Sequence, residues 1–314
     1  MAIGLALEPL EREAARERLA VRSENFTQVN DTDKGKALDK VAFAVGMSRP
    51  TYEKAKEVVE AAEQEPEKYG DLAEQMDKKG NVNGAHKKLR QRRKEEAKQA
   101  IPDDLPEIDD RYRLITGALE DVGSEIETGS VDIIITDPPY PQEYLPVYET
   151  LARFGARVLK PGGSMLVMIG QSYLPDVLAL MTPYVRYNWT LAYLTPGGQS
   201  AQLWQRKVNT FWKPVLWFVN GDYAGDWIGD VAQSMTNDND KRFHNWGQSE
   251  SGMADLIERF TYPGQLVCDP FGGAMTTGVV AVGKNRLFIG IDNDPECIRI
   301  GRDRLTKEVC HARS

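Results

Sequence analysis

This chain of 314 residues has little cysteine, no long apolar run and no excess of positive charge. Its three cysteines, Cys268, Cys297 and Cys310, show no metal-ligand spacing. A reduced, cytoplasmic chain without disulfides or a metal site is therefore expected. No stretch is apolar for long enough to cross a bilayer, and the first residues carry no secretory apolar core, so no membrane partner is expected. No long internal repeat is visible. Acidic side chains outnumber basic ones 47 to 39, a net charge of −8. Any nucleic-acid surface must then be local. One such place is the run holding Lys78, Lys79, Lys87, Lys88, Arg90, Arg92, Arg93, Lys94 and Lys98. It reads equally well as the solvated face of a helical linker.

What is present begins with Val131-Asp132-Ile133-Ile134-Ile135-Thr136, followed at once by Asp137-Pro138-Pro139-Tyr140. The isoleucine-rich run predicts a buried parallel strand. Open α/β sheets bind ligands just beyond the carboxyl ends of such strands. Two prolines fix φ at consecutive positions, so a carboxylate and an aromatic face are held at a set spacing. That pairing suits a flat heterocycle with an exocyclic amine. Alone, the four residues read equally as a strand-ending turn.

A second motif decides between these readings. Residues 266–277, Leu-Val-Cys-Asp-Pro-Phe-Gly-Gly-Ala-Met-Thr-Thr, predict a strand, a glycine loop and a helix starting near Thr276. Arg286-Leu287-Phe288-Ile289-Gly290-Ile291-Asp292 predicts another strand ending in a carboxylate. Glycines let backbone approach a nucleotide, and a strand-terminal acid takes ribose hydroxyls.

Together these segments resemble the β-class, permuted DNA amino-methyltransferases, which act on adenine N6 or cytosine N4. Asp137–Tyr140 resembles their motif IV and residues 269–277 their S-adenosyl-L-methionine (AdoMet) motif I. Tyr112–Leu119 resembles motif III, and Trp246-Gly247-Gln248 with Met253–Phe260 resembles motif X. The resemblance covers residues 109–309. It implies an α/β, Rossmann-like AdoMet-dependent methyltransferase fold, a mostly parallel doubly wound sheet in permuted order. It further implies catalytic roles for Asp137, Pro138, Pro139 and Tyr140. Cofactor contacts would come from Asp269, Pro270, Phe271, Gly272, Gly273, Thr276, Thr277, Asp292 and Gly117. Phe271 would pack beside the cofactor's adenine. Double-stranded DNA is the implied partner, and a homodimer is compatible with the class. Aspartate opening motif IV is commoner in adenine-N6 enzymes, so adenine is preferred over cytosine. Two departures stand out: Met275 replaces a motif I glycine, where its side chain could crowd the cofactor, and Ala118 replaces an acid in motif III. A DNA-binding regulator that keeps the fold without the activity is therefore the competing reading.

Ahead of this lies a small all-α module over residues 1–66. Ala37–Val45 and Thr51–Glu60 predict two helices around Gly46-Met47-Ser48, with Ser48 as N-cap and Pro50 in the first turn. With Arg22-Ser23-Glu24-Asn25, this resembles the helix-turn-helix of ParB-like partition proteins. Arg49, Thr51 and Lys54 would then face DNA; the alternative is a helical hairpin used for packing. Residues 67–108 read as a basic helical linker, and 109–314 as the methyltransferase domain. Within it, 195–245 is the candidate target-recognition region. Gln199, Gln202, Gln205, Arg206 and Lys207 carry amides and cations suited to base edges and phosphates. Trp204, Trp212 and Trp217 are expected as core or loop anchors.

Overall fold

Ser48 and Pro50 start a helix where the sequence places one. In the computed structural model, which describes residues 32–99, 101, 109–194, 201–223, 225–234 and 249–311, the Thr51 amide donates to Ser48 Oγ at 3.4 Å. The preceding turn is made by Gly46 at φ +71°, a conformation that costs glycine little. Helices α1 (Thr32–Ala44) and α2 (Arg49–Gln64) flank it. Arg22–Asn25 lie outside the described residues.

The linker expected over 67–108 is corrected. Pro66–Lys79 forms α3 and Val82–Gln99 forms α4. Tyr69, Leu72 and Met76 on α3 and Val82, Ala85 and Leu89 on α4 are buried, packing with Ala55, Val58 and Ala61 of α2. Each helix keeps apolar residues at intervals of three and four, the spacing of one helical face. Much of the basic run is spent inside this unit. Arg92 makes paired hydrogen bonds of 2.6 and 2.8 Å to Asp71, and Arg93 reaches Glu57 at 3.1 Å. The chain divides between Glu96 and Ala97.

The second unit is a three-layer sandwich. Its strands are β1 (Tyr112–Thr116), β2 (Val131–Thr136), β3 (Leu159–Met168), β4 (Arg186–Leu194), β7 (Trp212–Val219), β8 (Val231–Gln233), β9 (Leu266–Asp269) and β10 (Leu287–Asp292). They form one sheet in the order β1-β10-β9-β2-β3-β7-β4-β8. Pairing is parallel from β1 through β3, while β7 runs antiparallel to both β3 and β4. Residues 201–203 (β5) and 208–210 (β6) form a separate hairpin. Helices α5 (Leu119–Val122), α6 (Leu145–Val158) and α7 (Leu174–Met181) cover one face. Helices α8 (Glu250–Phe260), α9 (Thr276–Gly283) and α10 (Pro295–His311) cover the other. The isoleucine run shows why both layers are needed. Ile133 and Ile135 join the core under α8–α10, and Ile134 joins the core under α6 and α7, following the strand's period of two.

Three glycines on different elements shape one core site. A Cβ added at Gly301 of α10 would lie 2.2 Å from Met275 Cγ, and at Gly272 and Gly290 it would meet Met275 Sδ at 2.3 and 2.5 Å. The fully buried Met275 side chain fills this space. Alanine normally suits a helix interior better than glycine by about 1 kcal/mol. At Gly301 it meets the stiff root of Met275 and should instead lower unfolding stability by ~1–3 kcal/mol. In a Met275→Ala background the same Gly301→Ala change should be neutral or stabilising. Denaturant unfolding of the four proteins in this cycle measures it, and additive effects would refute the shared site.

Candidate active site

The strand order reverses between β9 and β2, which run parallel with Ile133 opposite Val267 and Ile134 opposite Cys268. The loops leaving their carboxyl ends therefore open side by side at a topological switch point. One is Asp137–Tyr140; the other is Pro270–Met275.

Asp269 ties these strands together. Its carboxylate accepts from Thr136 Oγ1 at 2.7 Å, from Thr277 Oγ1 at 2.7 Å and from the Phe271 amide at 3.1 Å. Thr136 is the last residue of β2, so this acid links the end of one motif strand to the loop and helix of the other. It is only 4% exposed. Burial pushes its pKa up from 3.8 to about 6, against the pull of the three hydrogen bonds, and the nearby Asp137 charge adds to the rise. Among the expected cofactor residues, Asp269, Thr276 and Thr277 thus face inward.

In the Asp137 loop, Pro138 is buried and Pro139 exposed, with Asp137 and Tyr140 half-buried between. The Tyr140 hydroxyl donates to Asp137 Oδ1. Tyr148 of α6 donates to the Pro139 carbonyl at 3.3 Å, and Gly170, in the chain after β3, lies against the Tyr140 ring. Burial, then the Asp137 charge, holds the Tyr140 phenol well above its ordinary range, so it stays a donor. Lys213, the second residue of β7, stands at the edge of this loop. Its Nζ lies 3.3 Å from Asp137 Oδ2 and 5.2 Å from the Tyr140 ring centroid. Sequence reasoning missed it; the available signal was a lone charge at the head of the apolar run 214–219.

The glycine loop is fastened at its base. Gly272 donates to the Ile291 carbonyl at 2.9 Å, and Gly273, at φ +51°, donates to Asp292 Oδ2 at 2.8 Å. Asp292 Oδ1 accepts from the Asp294 amide at 2.9 Å. Gly117, at φ +154°, donates to the Asp292 carbonyl at 3.0 Å; a Cβ there would lie 2.4 Å from Val122 Cγ1. Met275 adopts a left-handed conformation at φ +57°, a cost of roughly 1–2 kcal/mol for a residue with a Cβ. Its side chain points into the core, so the expected crowding of the cofactor by Met275 is corrected. Arg304 of α10, also missed, grips the loop from behind. It donates to the Ala274 carbonyl at 2.6 Å, to Thr276 Oγ1 at 2.9 Å and to Glu250 at 2.7 Å. Ala118 caps α5 with no side-chain hydrogen bond.

The expected DNA residues fall in three places. Arg49, Thr51 and Lys54 lie in the first turns of α2, engaged with Glu53, Ser48 and Asn83 at 2.9, 2.8 and 2.8 Å. Gln202 lies in β5, and Gln205, Arg206 and Lys207 in the turn before β6. Arg206 donates to the Ser172 carbonyl at 3.0 Å. Gln199 and Trp246–Gln248 lie outside the described residues. The three tryptophans separate: Trp217 is core and donates to Ser164 at 3.0 Å, whereas Trp212, at the head of β7, and Trp204 are 40% and 81% exposed. Trp204 lies in the turn of the separate β5–β6 hairpin and is not part of the core.

A family model described as DNA methylase matches residues 131–303. DNA adenine methyltransferase YhdJ of Escherichia coli (strain K12) is 26% identical over 236 residues, 58% of this chain and 78% of that protein. Type II methyltransferase M.BglII of Bacillus subtilis is 26% identical over 238 residues, 59% and 66% of the respective chains. Among solved structures, the M1.HpyAVI–SAM complex matches with a TM-score of 0.53 at 19% identity, covering 62% of this chain and 98% of that one. The cytosine-N4-specific PvuII DNA methyltransferase matches at 0.53 and 20%, covering 66% and 94%. These structural likenesses show the fold.

The raised pKa of Asp269 has a signed consequence. Between pH 4 and 6 the folded chain keeps a proton that the unfolded chain has released, so this group's contribution to stability falls as pH rises. Relative to an Asp269→Asn variant, wild type should lose on the order of 2 kcal/mol of unfolding free energy from pH 4 to pH 7. Paired denaturant titrations read the difference; a flat line would show that Asp269 stays ionised throughout.

Proposed function

This chain belongs to the DNA methylase family, and from that premise we propose that it transfers a methyl group from AdoMet to the exocyclic amine of a base turned out of duplex DNA. Adenine N6 is the preferred acceptor and cytosine N4 the alternative. The observation that carries the reading is the rigid Asp137–Tyr140 loop at the switch point, joined through Thr136 and Asp269 to a glycine loop closed by Asp292.

The residues present fit the cofactor. Gly273 opens onto free space, and Gly117 keeps the chain after β1 close to Asp292. Asp292 would take the ribose hydroxyls, Phe271 would lie beside the adenine, and Gly272 and Gly273 would admit the methionine portion. Pro270 sets the loop's exit from β9. Asp269, Thr276 and Thr277 hold this cradle from within rather than touching the ligand. When bound, AdoMet supplies an electrophilic methyl group.

The chain's own part is positioning and electrostatics. A base inside a duplex is out of reach and must be extruded. Its ring stacks on Tyr140. Its amine donates to Asp137 and to the Pro138 carbonyl, which draws lone-pair density out of the ring and aims it at the methyl group. The carboxylate of Asp137 then faces the positive charge that develops on the nitrogen. No nucleophilic thiol is needed; Cys268 is buried and its thiol is held protonated by burial and by Asp269. DNA is gripped by Arg206 and Lys207 beside the site, with Gln199, Gln202 and Gln205 reading bases. Arg49, Thr51 and Lys54 add a contact from the helical unit. The regulator reading loses support where Met275 points away from the cradle.

Purified protein incubated with tritiated AdoMet and unmethylated genomic DNA should yield labelled N6-methyladenine, and Asp137→Ala should lower the rate at least about 10²-fold. Labelled N4-methylcytosine would reassign the base. No label, with no AdoMet binding by calorimetry, would leave the regulator. Alanine at both Arg49 and Lys54 should weaken DNA binding severalfold at physiological salt while leaving kcat at saturating DNA unchanged. A lowered kcat would instead implicate these residues in the folding of their unit.

A further inference from the structure

Lys213 occupies the two contacts that the target base needs. Its ammonium, 3.3 Å from Asp137 Oδ2, stands as a donor where the exocyclic amine would donate. The same group lies over the Tyr140 ring, 5.2 Å from its centroid, where the base would stack. Tyr140 meanwhile closes on the other carboxylate oxygen. Base and ammonium cannot hold these positions together. The chemistry also separates them, because methylation leaves positive charge on the acceptor nitrogen, and a cation held beside it opposes that charge.

The ammonium is free to leave. Lys213 pairs with Tyr193 in a β7 backbone fixed between β3 and β4, so its four-carbon stem can swing while the strand stays put. Its side chain is 30% exposed, and its neighbours Phe211 and Trp212 are 75% and 40% exposed at the same end of the sheet. A displaced ammonium needs a new anion. Duplex DNA brings phosphates on either side of an extruded nucleotide.

We propose that Lys213 is a placeholder for the target amine, holding Asp137 and covering Tyr140 in the free enzyme and passing to a DNA phosphate when the base enters. This rests on the function proposed above. The exchange gives Asp137 a hydrogen-bond donor and the ammonium an anion in both states, and it makes DNA itself the signal that uncovers the acceptor site.

Methylation kinetics on unmethylated genomic DNA at saturating AdoMet, over roughly 50 to 200 mM salt, test it. Absence of labelling by the wild type would overturn the proposed function, and the placeholder with it. Given wild-type activity, Lys213→Gln should keep kcat within about threefold and raise KM for DNA severalfold. The slope of log kcat/KM against log salt should become shallower by about 0.9, the loss of one phosphate contact. Lys213→Arg should keep the wild-type slope. An unchanged slope in Lys213→Gln, or a kcat about tenfold lower at unchanged KM, would overturn the placeholder and leave Lys213 as a residue that positions Asp137 throughout. AdoMet affinity by calorimetry checks folding, and if Lys213→Gln does not fold, Lys213→Met is judged by the same criteria.

Discussion

The site depends on one buried carboxylate. Asp269 is held by Thr136 from β2, by Thr277 from α9 and by the Phe271 amide of its own loop. A buried acid is tolerable where donors replace the water it has lost. Here those donors come from the elements that must stay in register for chemistry. The Asp137 loop begins one residue after Thr136, and the glycine loop one residue after Asp269. A shift of either strand would therefore strand a buried polar group, so the polar network fixes the register that apolar packing alone would leave looser.

Around this tie the loops are fixed by unlike means. Consecutive prolines stiffen Asp137–Tyr140 from within. The glycine loop is restrained from outside, by Ile291, Asp292 and Arg304. Met275 shows how local strain is offset. Its left-handed backbone is unfavourable, yet the conformation sends the side chain into space that Gly272, Gly290 and Gly301 leave open. The methionine and the three glycines are one packing solution spread over a loop, a strand and a helix.

Much of this was legible in the sequence because its signals are local. The isoleucine run, the paired prolines and the glycine loop each announce an element within a dozen residues. The apolar faces of α3 and α4 were hidden by the charges around them, and an apparent linker proved to be half of a helical core. Lys213 and Arg304 were illegible for another reason. They reach partners 76 and 30 positions away, and only the strand order brings them together. The positive φ at residue 275 could be foreseen from the glycine it replaces. The direction of its side chain could not, because that depends on small residues in other elements.

The permuted strand order also sets a timetable for biogenesis. Strand β1 leads into Gly117, yet its partner is β10, and Arg111 just before it bonds to the Val309 carbonyl, 198 positions further on. Emerging from the ribosome, β1 has no neighbour to pair with until nearly the whole unit has been made. Its edge must wait exposed through synthesis of the sheet's other strands, an interval in which chaperone capture or mispairing competes with completion. The acceptor loop belongs to the early part of the chain and the cofactor loop to the late part, so a nascent unit cannot possess a complete site before β10 and α10 have docked.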